Sequence, residues 1–473
     1  MKFMKITILN KAEGMEKIAA AAAKLSTTDG TAEGIYNNID LDKDSKLIQK
    51  VIKIRHVTLI EHIYFNLALE GISVFIEQFL IEHRLCAFTV KSRRYVDYRN
   101  QGTYIPDFEF DKKVSDKTRQ YVNEAYKNHV NYLFENYAKL IDNGMKVEDA
   151  RFILPYSFYS DMFMSSNARE LTHLIYACIY GRGRHYSEIR NFGEMLHSKL
   201  KELAPNIFDN IRLIEEGEEI SEEKLNVILN NKVQKRRDKK DNEDKVEIVD
   251  FTKNPEELVA ISAIIKNQQC AYYDAKSLLE SDESLQNKIL EIVCTDKRKR
   301  ELEQINFTIR INNVSLPILT HISRHRIQAL IVPSFTEFGK SKKNKIPAIV
   351  EENETLKRIF YKVLDTHNNL YDEFVKLGAS KYSLVYMYLS GNLIDIQTTM
   401  NAREVFNFLK VRACERAQWE IKEYSREMLA KLKKIAPNIF KYAGPSCVAT
   451  GRCTEGVMSC GRQDEVREAI GKL

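Results

Sequence analysis

ILTHISRHRIQALIVPSF, Ile318 to Phe335, is the stretch around which this chain is organised. Two arginines bracket a histidine at Arg324, His325 and Arg326, and Ser334 follows eight residues after Arg326. Upstream, Ser315 and Pro317 predict a helix start, because serine caps free N–H groups and proline tolerates the first turn. On that helix His321 lies three and four residues before Arg324 and His325, so the three are expected to share one face. Two imidazoles and a guanidinium together suit an anion, above all a phosphate or a flat ring with carbonyl edges. An isolated RHR would more simply be a solvated basic helix end. This one has a second, altered copy, IEHRLCAFTVKSRRY, at Ile81 to Tyr95.

The repeat extends well beyond that motif. Ile63, Phe65, Leu67 and Leu69 alternate with Tyr64, Asn66 and Ala68, the period of a half-buried strand, as Ile305, Phe307, Ile309 and Ile311 alternate with polar residues. Each predicted strand leads into an apolar helix and then the HR element, and the step from His62 to Glu82 equals that from Gln304 to Arg324. SSNARELTHLI (165–175) matches TTMNAREVFNFL (398–409), and LKELAPNIF (200–208) matches LKKIAPNIF (432–440). Four matches in one order mean two copies of one domain. We place them at 1–215 and 245–445, joined by a charged linker (216–244) and followed by a tail (446–473) containing cysteine and glycine. Within the linker LNVIL is the only apolar cluster, enough for one short helix. Met4 to Asn10 reads as a strand and Met15 to Leu25 as an alanine-rich helix ending at Ser26. The spacing of Phe406, Leu409, Ala413, Ala417, Ile421, Met428 and Leu432 predicts one long helix.

Composition narrows the function classes. The 473 residues are 44% hydrophobic and 29% charged, an ordinary balance for a folded, non-membrane chain. A net charge of +6 fits anionic small-molecule sites but lacks the basic stripe of a nucleic-acid binder. The most apolar stretch, Val57 to Leu80, is broken by Glu61, His62, Glu70 and Glu77, so no membrane span is expected. Eight cysteines form no secreted framework, which points to a reducing cytoplasm. In the tail, Cys447, Cys453 and Cys460 are separated by five and six residues rather than a zinc-knuckle spacing. A metal there would need a fourth ligand from elsewhere, and we assign none from sequence.

These motifs resemble the flavin-dependent thymidylate synthases, the ThyX family. Its signature is RHR, seven residues, then Ser, closely followed by Arg-Tyr. Arg324 to Ser334 match its first part, and Ser92, Arg93, Arg94 and Tyr95 its second; Met400 to Ile421 resembles the family's second block. The likeness implies an α+β fold, here as two tandem ThyX-like domains forming a pseudo-dimer, and a homodimer rebuilding a pseudo-tetramer. It implies FAD as cofactor, with NADPH and methylenetetrahydrofolate as co-substrates, and methylation of deoxyuridylate (dUMP) to thymidylate (dTMP). A flavin would carry the hydride chemistry, leaving the protein to bind phosphates and orient rings.

Carried over residue by residue, the copies differ. The first keeps Ser26, His56 and Thr58 on the flavin side, Ser92, Arg94 and Tyr95 for the nucleotide phosphate, and Arg151. It has Glu82 for the first arginine of RHR and Cys178 for the arginine that activates uracil. The second keeps Arg324, His325, Arg326, Asn401, Arg403 and Asn407 for FAD, and Arg412 as the activating, catalytic arginine. Arg324 and His321 also fall at substrate-contacting positions. It has Arg298 and Arg300 opposite His56 and Thr58, and Thr336 and Glu337 opposite Arg94 and Tyr95. Both copies lack the family's glutamate (Val90, Val332) and its glutamine (Phe79, His321). The retained residues of one copy fill the gaps of the other, which favours an enzyme with a composite site. The alternatives are a catalytically degenerate nucleotide- or flavin-binding protein and a C5-methylase of another uridine nucleotide.

Overall fold

The computed structural model describes residues 3–209, 211–214, 221–229, 244–339 and 342–473. The fold is α+β and divides into two compact units, Met1–Lys235 with Ser334–Asn392, and Arg236–Pro333 with Leu393–Leu473. Each is described in turn.

In the first unit, strands β1 (Lys5–Lys11), β2 (Tyr64–Ser73), β3 (Ala87–Val90) and β4 (Tyr159–Asn167) form an antiparallel sheet ordered β1-β2-β4-β3. The expected alternation holds: Phe65, Leu67 and Leu69 are buried while Tyr64 and Asn66 face out. The helix expected near the N-terminus runs Met15–Leu25, with Ser26 as its C-cap. Segment Ser334–Asn392 belongs to the second copy by sequence, yet it packs with the first. The reason is a pair of long amphipathic helices, Asp116–Asp142 and Glu354–Leu377, one from each copy. A single helix of this kind must bury its apolar stripe against another element. Here Phe108 meets Phe374 edge-on at 5.3 Å, and His129 Nε2 lies 3.0 Å from His367 Nδ1.

In the second unit, β5 (Val246–Phe251), β6 (Asn306–Ser315), β7 (Ala329–Ile331) and β8 (Leu393–Asn401) repeat the topology as β5-β6-β8-β7. Fine details recur with it. The β2–β4 register shifts between Leu69 and Ile72, and the β6–β8 register between Ile311 and Val314. At these bulges Gly71 (φ 65°) and Asn313 (φ 54°) take the left-handed conformation that those residue types tolerate. Asp161 accepts from the Gly71 N–H at 3.0 Å, and Asp395 from the Asn313 N–H at 2.9 Å. Buried Glu188 holds Ser73, and buried Glu420 holds Ser315, each accepting from both the backbone N–H and the hydroxyl. Glu16 and Glu256 likewise accept from Asn206 and Asn438 in the two APNIF turns.

Three expectations need correcting. The stretch from Phe406 to Leu432 is two helices, Ala402–Arg412 and Trp419–Ile435. Gln418 separates them, its side chain accepting from the N–H groups of Glu420 and Ile421 and so starting a new helix. The helix begun at Ser315 stops at Ser323, so the RHR triplet lies in the turn beyond it. Gln328 ends it by donating to the carbonyls of Ile322 (2.7 Å) and His325 (2.9 Å), satisfying acceptors the helix leaves open. His325 consequently points inward while Arg324 is exposed, so of His321, Arg324 and His325 only the two histidines come together, against Arg412. Ser315 is the N-cap, but its hydroxyl goes to Glu420 and not to the helix.

Of the charged linker, residues 216–220 and 230–243 lie outside the described residues; the short helix expected around LNVIL forms as Ser221–Leu229. The C-terminal tail is packed, with helices Ser446–Ala449 and Gln463–Gly471 and buried Val466 and Ile470. Among the described residues no helix is long and apolar enough to cross a membrane.

Candidate active site

In the second unit the RHR turn and the helix Ala402–Arg412 meet in one network. Asn401 caps that helix by accepting from the Glu404 N–H, which holds Glu404 against the sheet end. The Glu404 carboxylate lies 2.8 Å from His325 Nδ1, and both side chains are buried. On the other side of the ring, Arg412 Nε donates to His325 Nε2 across 3.1 Å. An arginine can only donate, so Nε2 must be the bare nitrogen and the proton must sit on Nδ1, facing Glu404. Burial is the main force holding the His325 pKa below its ordinary value, with the Arg412 charge adding to it and Glu404 opposing. Arg412 is held further by the His321 carbonyl at 2.9 Å and stands 3.4 Å from His321 Nδ1. Asn407 Nδ2 donates to Glu404 at 3.3 Å.

The sequence-derived set in this unit is thus only partly brought together. His321, His325, Asn407 and Arg412 share a network. Arg403 is exposed and paired with Glu303, as Arg169 is with Glu61 in the first unit. Glu404 and Gln328 organise the site and were missed. Glu404 had a signal, since N-A-R-E at 401–404 is a capping pattern. Glu415, three residues beyond Arg412, is bound by Lys422, Arg426 and Arg462.

In the first unit the SRRY loop splits its arginines. Arg93 turns inward and pairs with buried Glu77 at 2.9 Å. Arg94 Nε donates to Glu148 at 2.7 Å, its own N–H donates to Ser92 Oγ, and its guanidinium lies over the exposed Tyr95 ring. Arg151 is almost wholly buried, and its Nε and Nη2 have no hydrogen-bond partner among the described residues. Burial, then the charge of Arg93, draws its pKa down to about 10, still far above neutrality. A buried guanidinium beside Arg93 and Arg94, with two nitrogens unsatisfied, is a costly arrangement that an anion would relieve. Ser26, His56 and Thr58 are exposed, at the end of the first helix and around the turn Val57–His62.

The first copy's version of the RHR network has been rebuilt. His83 Nδ1 faces Glu170 at 3.5 Å, as His325 faces Glu404. Cys178, in place of the activating arginine, is buried. One helical turn on, Arg182 binds Glu82 at 2.7 Å and lies over the rings of Phe79 and Phe335. Phe335 in turn packs against Phe75 at 5.0 Å and Phe338 at 5.2 Å. Glu82, which stands in place of the first arginine of RHR, is thus neutralised by Arg182.

The fold is thus a duplicated α+β fold, with a histidine-held arginine in one unit and, in the other, a buried Arg151 that has two unsatisfied nitrogens. Residues 7–206 and 247–438 each match the family described as thymidylate synthase complementing protein. The chain belongs to the flavin-dependent thymidylate synthase family, as two diverged copies in tandem. By family it is an enzyme of the methyltransferase class. Among its relatives, the flavin-dependent thymidylate synthase of Clostridium tetani is 32% identical over 47% of this chain and 96% of the relative. That of Geobacter sulfurreducens is 30% identical over 48% and 99%. Among solved structures, the UMP/dUMP methylase PolB from Streptomyces cacaoi bound with 5-Br dUMP is 22% identical, covers 44% of this chain and 94% of that one, and has a TM-score of 0.38.

Proposed function

We propose that this protein methylates dUMP to dTMP, with methylenetetrahydrofolate as carbon donor and NADPH as reductant through FAD. The observation that carries the reading is the buried Arg151 with two unsatisfied nitrogens beside Arg93 and Arg94. A nucleotide phosphate supplies the acceptors this cluster lacks, with Ser92 and Tyr95 beside it. In the second unit, Arg412 is held by His325 and His321 in one orientation, as a donor to a uracil carbonyl needs. Both copies then contribute to one competent centre per chain. Arg324 and Arg326, exposed either side of buried His325, are donors that fit the diphosphate of FAD, with Asn401, Arg403 and Asn407 on the adjoining helix and Ser26, His56 and Thr58 from the first copy. Bound there, the flavin would supply hydride transfer. We further propose that two chains associate to restore a four-domain assembly in the cytoplasm.

The test is direct. The purified chain, reconstituted with FAD, is given dUMP, methylenetetrahydrofolate and NADPH, and the product is weighed by mass spectrometry; UMP is the parallel arm. dTMP formation with a flavin spectrum supports the reading, and methylation of UMP alone shifts it to the other uridine nucleotide. No flavin uptake and no methylated product from either would leave a degenerate binding protein. Light scattering at twice the 55.0 kDa chain mass supports the dimer.

A further inference from the structure

We propose that Cys414, Cys447, Cys453 and Cys460 form a tetrathiolate site for one zinc ion, which fastens the C-terminal tail to the loop following Arg412. The four thiols come from separate places in the sequence and line a single cavity of about 20 Å³ in the second unit. That volume suits one ion and excludes an organic ligand. Cys414 is the fourth donor that the tail itself lacks, and it stands two residues beyond Arg412. All four are free cysteines, and Cys447 is buried.

The proximity of the four thiols is geometric, since all of them line the same small cavity. As the side chains stand, no group of three or more His, Cys, Asp or Glu among the described residues could hold a metal ion. Side-chain rotation of the thiols within the cavity would therefore be needed to close the set.

The surrounding chain is already shaped for such a site. Gly461, directly after Cys460, has φ 71°, a conformation that lets the chain turn sharply behind the sulfur. Arg467 donates to the carbonyls of Cys447 (3.0 Å) and Gly451 (2.6 Å), and Arg462 pairs with Glu415 at 2.8 Å, tying both loops down. Four thiolates around a divalent ion carry a net double negative charge, and Arg416, Arg462 and Arg467 lie about the cluster. Glu415, which Lys422, Arg426 and Arg462 hold, and Glu455 also line the cavity, but four sulfur donors are the set that selects zinc in closed tetrahedral geometry, a structural rather than a catalytic arrangement.

The full chain, expressed with supplemental zinc and desalted, should hold about one zinc per chain by elemental analysis. Cys453→Ser and Cys460→Ser should each lose it. Because those variants could misfold, the parent is also stripped with chelator and titrated with Co²⁺, which should give the absorption of a tetrahedral thiolate complex. Thiol titration in denaturant plus chelator should find all eight cysteines reduced. No retained zinc and no cobalt–thiolate band would overturn the site. So would six free thiols, which would mean that the cluster is a disulfide.

Discussion

Arg412 donates its Nε–H to His325 Nε2 across 3.1 Å, and that bond sets the protonation state of the buried imidazole. Because the Nδ1–H on the far side donates to Glu404, the three residues form a chain in which the carboxylate orients the ring and the ring orients the guanidinium. Under the proposed function, His325 acts through Arg412 as a positioning residue.

His325→Ala should lower kcat for dUMP by roughly one to two orders of magnitude, the worth of a hydrogen bond to a charged group. KM should change far less, since phosphate binding is assigned to the first unit. Asn, which can still accept at short range, should recover part of the loss. Steady-state kinetics at saturating flavin checks this; an unchanged kcat would leave His325 as packing only.

Arg151 gives a prediction with two opposite signs. Arg151→Met should abolish or weaken dUMP binding at least tenfold in calorimetric titration, because a charge-assisted phosphate contact is lost. The same change should leave the nucleotide-free protein as stable as the parent or more so, since it removes a buried charge with unsatisfied nitrogens. A variant that is destabilised and still binds dUMP would show that Arg151 is structural.

Stoichiometry tests the specialisation of the copies. In the first unit Glu82 is paired with Arg182, which lies over the rings of Phe79 and Phe335, and Cys178 stands where the resemblance expects the activating arginine. One dUMP per chain is expected, and two equivalents would refute the composite centre. Arg94→Ala alone should remove the single binding event.

The helix pair of the first unit should respond to acid. Burial depresses both imidazoles of the His129–His367 contact, His129 to about 4 and His367 well below the ordinary 6.5. The unfolded chain takes up these protons near pH 6.5 and the folded chain only near 4 or below. Stability is therefore full above 6.5 and falls as the pH drops towards 4, by about 1.4 kcal/mol per pH unit for each histidine. Thermal melts between pH 7.5 and 5 should show a steeper decline in the parent than in a His129→Leu, His367→Leu double variant. Equal slopes would place the acid sensitivity elsewhere.

Much of this protein was legible in its sequence alone. The two copies, the strands around Phe65 and Phe307, the helix start at Ser315 and the family motifs all follow from local spacing. Period, capping and turn chemistry act between residues a few positions apart. What only the tertiary structure decided is which distant partners those elements meet. The stripe on Glu354–Leu377 could be read as needing cover, but not that the first copy's helix supplies it. Arg412 could be singled out, but not that Glu404 and His325 aim it. No spacing in the sequence pairs Glu82 with Arg182, and the tail's three cysteines lacked a fourth until the chain brought Cys414 to them. Local patterns fix which face of an element must be buried; the choice of what covers it depends on long-range packing, where no short-range period carries information.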